Sequence, residues 1–167
     1  LNDYQKNPLY STNGLKEIQK MSSVYGVKVS SICADYFMEA PLHHGQKEIA
    51  TNSSIVLKKL IKSAQILQVS DIIIPCVDKS SLKNPDDKKR LIESLLSHVS
   101  EAEKHSVNIC LETDLGPSAF FKLLENFKSE RITVNYDIGN SASLGYDIKD
   151  EFEAYGNRIS DIHIKDR

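Results

Sequence analysis

The sequence predicts an α/β fold in which about five parallel strands, with outer helices, form part of an eight-stranded barrel. Three observations lead there. First, short β-type runs alternate with helical runs along the chain, in the order α-β-α-β-α-β-α-β-α-β. Such alternation gives a parallel sheet with right-handed crossovers. Second, the last three β-type runs have one apolar and one polar face. Val107, Ile109 and Leu111 oppose Asn108, Cys110 and Glu112; Ile132, Val134 and Tyr136 oppose Thr133, Asn135 and Asp137; Ile162 and Ile164 oppose Asp161, His163 and Lys165. An open doubly wound sheet would be apolar on both faces. A barrel instead packs helices on the apolar face and gathers polar strand ends at its carboxyl rim. Third, no Gly-x-Gly-x-x-Gly follows any strand, which argues against a dinucleotide-binding sheet.

The elements follow in order. Residues 1 to 10 carry no periodic run, and Asn7-Pro8 reads as a turn. Ser11-Thr12-Asn13 caps a helix over Gly14 to Tyr25, with Leu15, Ile18, Met21 and Tyr25 on its apolar stripe and Gly26 as its stop. Val27 to Cys33 is β-type. A loop through Asp35, Pro41, His43 and His44 leads to a helix over Lys47 to Leu67. Asp71 to Val77 is almost wholly apolar, as a strand buried on both faces should be, and Pro75 marks its exit. Asn84-Pro85 opens a helix over Asp86 to His105, on which His98 and His105 are expected to be exposed. Val107 to Glu112 is a strand, and Gly116-Pro117-Ser118 starts a helix that reaches Phe127. Ile132 to Asp137 is the next strand, followed by a Gly-Asn-Ser-Ala-Ser-Leu-Gly loop. A short helix over Ile148 to Tyr155 ends at Gly156, and Arg158 to Ile164 is the last strand. No repeat or linker divides the chain, so the expectation is a single domain over residues 1–167.

Composition narrows the function. The 167 residues are 40% hydrophobic and 26% charged, with a net charge of −2, an ordinary globular balance. A nucleic-acid partner would call for a basic surface. No apolar run reaches membrane-spanning length, and the polar start is no signal peptide. Cys33, Cys76 and Cys110 are odd in number and scattered, which fits buried thiols in a cytoplasmic protein rather than a disulfide framework.

The chemistry-bearing residues stand at strand ends. Glu112, Asp137 and His163 close three successive strands. Singly, each would pass for a salt-bridged or core residue; together they suggest a metal site on the carboxyl rim of a barrel. Two carboxylates and an imidazole suit Mn²⁺, Mg²⁺, Co²⁺ or Zn²⁺. Glu112 is also the candidate base for removing a proton α to a carbonyl. Lys165 and Arg167 follow the last strand, where barrels often hold phosphate. Asn140 belongs to the rim beside Asp137, and Asp35 is a candidate substrate contact at an earlier strand end. His43 and His44 read as loop residues.

The segments Leu-Glu-Thr at 111–113, Asn-Tyr-Asp-Ile-Gly-Asn at 135–140, Leu-Gly-Tyr-Asp at 144–147, Tyr-Gly-Asn-Arg-Ile at 155–159 and His-Ile-Lys-Asp-Arg at 163–167, with Ser-Ile-Cys-Ala-Asp-Tyr-Phe at 31–37, resemble the xylose isomerase-like TIM barrel superfamily. Within it they resemble sugar-phosphate isomerases and epimerases of the L-ribulose-5-phosphate 3-epimerase or hexulose-6-phosphate isomerase kind. The resemblance implies a divalent metal held by Glu, Asp, His and a second Glu on family strands five to eight. Glu112, Asp137 and His163 match the first three, so the five strands correspond to family strands three to seven. The second Glu, also an acid/base residue in the family, would lie beyond Arg167. Leu1 is not Met, so the chain is expected to be a piece of a longer enzyme or a shortened barrel, weak or inactive by itself. A non-catalytic, sugar-binding or degenerate barrel is the alternative. An apurinic-site endonuclease-like hydrolase ranks lower, because its metal cluster needs more His ligands and a basic face. Open strand edges invite pairing, so a homo-oligomer is expected, with a sugar or sugar phosphate as the other partner.

Overall fold

The computed structural model describes residues 2–165 of the chain. Five strands, β1 (Ser31–Cys33), β2 (Asp71–Cys76), β3 (Asn108–Thr113), β4 (Ile132–Asp137) and β5 (Ile159–His163), lie side by side in sequence order. All four pairings are parallel. The sheet curves as half of a barrel with helices around it. The helices are α1 (Thr12–Tyr25), α2 (Tyr36–Glu39), α3 (Lys47–Leu67), α4 (Pro85–Leu96), α5 (Val99–His105), α6 (Pro117–Leu124), α7 (Ile138–Leu144) and α8 (Ile148–Tyr155).

The outward strand residues build the core. Ile72, Ile74, Ile109, Leu111, Ile132 and Val134 are buried in one cluster with Leu57 and Ile61 of α3, Leu91 and Leu95 of α4, and Phe120 and Leu123 of α6. Each such side chain contributes roughly 1.5–3 kcal/mol by leaving water. That cluster holds the strands in register, and register places their carboxyl ends at one height: Pro75 pairs with Glu112, and Asp137 with His163.

The inward face carries a polar layer below that rim. Asp71 Oδ1 accepts from Asn108 Nδ2 at 2.9 Å, Ser160 Oγ at 2.7 Å and Cys110 Sγ at 3.1 Å. Burial alone would raise the Asp71 carboxyl, but hydrogen bonds from Ser70, Asn108, Ser160 and Cys110 outweigh it and hold the group below its ordinary value. Ser160 reaches this layer through a bulge. Val134 pairs with Ile159 but Asn135 pairs with Asp161, which leaves Ser160 as the extra residue. A bulge of this kind re-aims the side chains beyond it. Here Asp161 and His163 pair with Asn135 and Asp137.

Four expectations need correction. The strand expected over Val27 to Cys33 shrinks to Ser31–Cys33, because Val27 lies exposed outside the sheet. The helix expected over Asp86 to His105 is two helices, with the break at Ser97 and His98. Ser97 Oγ turns back to the Ser94 carbonyl at 2.6 Å, a bond that competes with helix continuation. His98 is buried rather than exposed and meets Ser54 Oγ of α3 at 2.8 Å; burial and the Lys58 charge push its imidazole below the ordinary value. His105 is half-buried against Glu101. Lastly, the expected loop after Asp137 is α7, whose start depends on the candidate site itself.

Candidate metal centre

Glu112, Asp137 and His163 close β3, β4 and β5, and one ligand atom from each lies within 4.8 Å of the others. Adjacent parallel strands in matched register bring them together; they are 25 and 26 residues apart in sequence. No other cluster of three or more His, Cys, Asp or Glu side chains able to hold a metal ion occurs among the described residues.

Each side chain is held by its neighbours. Glu112 is buried, and both its oxygens accept amide N–H bonds: Oε1 from Asn140 Nδ2 at 2.7 Å and Oε2 from Asn135 Nδ2 at 2.8 Å. Asn135 Nδ2 also lies 3.0 Å from His163 Nδ1, and that ring nitrogen is 3.4 Å from Glu112 Oε2. Asp137 divides its two oxygens. Oδ1 accepts from the Asn140 backbone N–H at 2.9 Å and caps α7; Oδ2 faces the cluster, 3.9 Å from His163 Nδ1. The cap explains why Gly-Asn-Ser-Ala-Ser-Leu forms a helix despite weak propensity: a capping Asp at its start, and Gly145 at φ 73° at its end.

The two carboxyls titrate apart. Burial raises Glu112, and the neighbouring Asp137 charge raises it further against the hydrogen bond from Asn135. Burial would raise Asp137 too, but Lys165, the Asn140 N–H and the hydrogen bond with Glu112 hold it below the ordinary value. A proton shared by the pair therefore belongs to Glu112.

The arrangement fits a divalent cation. The donor set of two carboxylates and an imidazole suits a hard-to-borderline ion. Two buried amide oxygens, Asn135 Oδ1 and Asn140 Oδ1, have no hydrogen-bond donor. Asp137 Oδ2 is buried and ion-paired with Lys165, whose Nζ stands 2.5 Å away.

The remaining candidates are placed as follows. Asn140 is in the cluster, with its amide nitrogen committed to Glu112. Lys165 is in the cluster, on Asp137. Arg167 lies outside the described residues. Asp35 is exposed, 3.2 Å from Cys33 Sγ. Cys33, expected to be a buried thiol, is exposed, whereas Cys76 and Cys110 are buried; partial desolvation and the Asp35 contact push the Cys33 thiol up to about 12. Asp35 and Cys33 line a separate hollow of about 230 Å³ under Tyr4, Tyr10 and Tyr36. His44 Nδ1 accepts the Gln46 N–H in the loop, whereas His43 is buried.

Sequence reasoning did not single out Asn135, which links Glu112 to His163, or Glu151. Asn135 was legible by period two, on the same strand face as Asp137. Glu151 carried no such signal. It is buried on α8 and accepts from Tyr136 Oη at 2.9 Å, Tyr155 Oη at 2.7 Å and Ser141 Oγ, which fastens α7 to β4 and α8.

A half-barrel of parallel strands with acidic and imidazole groups gathered at its carboxyl rim defines an α/β-barrel protein. The chain belongs to the xylose isomerase-like TIM barrel family, whose model matches residues 2–167. Solved structures share the fold. A D-tagatose 3-epimerase-like protein is 14% identical at a TM-score of 0.77, over 95% of this chain and 64% of that one. A 3-keto-D-glucoside 4-epimerase from E. coli is 13% identical at 0.77, over 92% and 65%. A sugar phosphate isomerase/epimerase from Parabacteroides distasonis is 20% identical at 0.72, over 92% and 57%. The chain thus spans less than two thirds of the length of these structures. No curated protein matches it by sequence. No described helix is long and apolar enough to cross a membrane.

Proposed function

We propose that the chain is part of a metal-dependent isomerase or epimerase that acts on a ketose or sugar phosphate through an enediolate. The observation that carries this is the convergence of Glu112, Asp137 and His163 within 4.8 Å, with the buried oxygens Asn135 Oδ1 and Asn140 Oδ1 lacking a hydrogen-bond donor. These three residues would hold Mn²⁺, Mg²⁺, Co²⁺ or Zn²⁺, and the ion would supply Lewis-acid stabilisation of negative charge on the substrate oxygen.

The protein's own groups do the rest. Glu112, ionised, takes the proton α to the carbonyl; the C–H pair becomes the C=C bond and the carbonyl oxygen takes the charge. Asn135 and Asn140 keep the Glu112 oxygens aimed while this happens. Return of the proton to the neighbouring carbon, with the proton of the adjacent hydroxyl passing to the former carbonyl oxygen, completes an isomerisation. Epimerisation needs a second acid/base on the opposite face. Asn140 Oδ1, free of hydrogen-bond partners, can meet a substrate hydroxyl, Asp35 is a more distant candidate contact, and a substrate phosphate falls to Lys165 and Arg167.

The test is solvent-deuterium exchange into ketoses and ketose phosphates, read by NMR with Mn²⁺ present. Exchange requires only proton abstraction and so reports on a half-reaction. The native chain should exchange one carbon-bound proton, and Glu112→Gln should lower the rate by about a hundredfold or more, the scale of a lost general base. No exchange with any ketose would end the reading of this chain as catalytic by itself and leave a non-catalytic sugar-binding barrel.

The same proposal includes self-association. Among the described residues β1 and β5 each have one neighbour, and Ile162 on β5 is 47% exposed. Such edges pair unless covered. Sedimentation should show a concentration-dependent dimer; a monomer throughout would remove this part.

A further inference from the structure

The contact between Lys165 and Asp137 has a consequence for how the site is filled. Lys165 Nζ stands 2.5 Å from Asp137 Oδ2, the carboxylate oxygen left over after Oδ1 caps α7. The Asp137 side chain is 2% exposed and that of Lys165 39%, so the ammonium enters from the solvent side onto a buried anion. Two buried carboxylates at one rim repel each other, and a neighbouring cation relieves this. Gly139, in the first turn of α7, makes the approach possible. A Cβ there would lie 2.7 Å from Lys165 Cγ and 3.3 Å from its Cε. Lys165 therefore runs across a surface kept bare for it.

We infer that Lys165 is a tethered cation that holds Asp137 in the metal-free protein and must leave before a divalent ion can bind there, so that the site works by exchanging lysine for metal. The inference rests on the metal reading above. Asp137 Oδ2 cannot accept a metal ion where an ammonium already stands 2.5 Å away. A site whose competent state is a minor fraction shows its intrinsic affinity divided by that fraction. The ammonium, once displaced, is free for an anionic group of the substrate, so metal precedes an anionic substrate in binding order.

The experiment is calorimetric titration of Mn²⁺ into the native chain, Lys165→Met and Gly139→Ala, with folding of each checked by circular dichroism. Lys165→Met keeps the side chain's length and removes its charge. Gly139→Ala keeps the lysine but places a methyl 2.7 Å from its Cγ and 3.1 Å from its backbone carbonyl oxygen, so the segment that carries Lys165 must shift away from α7. Both variants should bind Mn²⁺ more tightly than the native chain, by about tenfold if the lysine occupies the site nine-tenths of the time. Binding by the variants alone would support the exchange more strongly. Equal or weaker binding by Lys165→Met, with Mn²⁺ bound by the native chain, would overturn the inference and leave the metal reading standing. Absence of Mn²⁺ binding in all three proteins would overturn the metal reading and the inference with it. Should Lys165→Met not fold, Gly139→Ala decides alone, and unchanged affinity there counts against the exchange.

Discussion

Asp137→Asn is expected to weaken Mn²⁺ binding by about a hundredfold or more, the equivalent of roughly 3 kcal/mol, while leaving the fold intact. The substitution separates the two jobs of one side chain. Its carbonyl oxygen can still accept the Asn140 N–H that starts α7, because Asn is as good a helix cap as Asp. What it loses is the anionic oxygen that faces His163 and Lys165. Asp137→Ala should lose the same affinity and in addition about 1 kcal/mol of stability from the missing cap. Calorimetric Mn²⁺ titration beside thermal unfolding checks both. Native-like affinity in Asp137→Asn would show that the ion, if one binds, sits elsewhere.

Glu151→Ala is expected to cost roughly 3–5 kcal/mol of folding stability, a fall in Tm of about 10 °C for a chain of this size. The carboxylate is 2% exposed and is the common acceptor for Tyr136, Ser141 and Tyr155. Its removal leaves three buried hydroxyls to find other acceptors and opens a void between α7, α8 and β4. Asn140 precedes Ser141 on α7 and donates to Glu112, so a loosened α7 should also weaken metal binding by about tenfold to a hundredfold, the usual effect of removing support for a ligand. Glu151→Gln keeps the volume and should cost less. A Tm within about 2 °C of native in Glu151→Ala would show that the three hydroxyls do not depend on this acceptor.

The sequence by itself determined the alternation of strand and helix, the barrel and the three strand-end residues Glu112, Asp137 and His163 that the fold brings together. The reason is local: period-two burial writes itself into side-chain polarity at 107–112 and 132–137, and residues at strand ends keep their place whatever lies between. Tertiary structure decided what depends on partners distant in the chain. Helix α7 forms from a run that reads as a loop because Asp137 caps it and Glu151, ten residues beyond Ser141, accepts the Ser141 hydroxyl. The break at Ser97 and His98 goes with a ring buried against Ser54 of α3. Ser160 joins the inner layer because β5 takes a bulge against β4, a register choice no single strand encodes. The position of Lys165 was equally out of reach. Its residue type points to an anion, and the sequence offered a substrate phosphate; the fold supplies Asp137 first, because Gly139 leaves the path open and a buried carboxylate draws a neighbouring flexible cation.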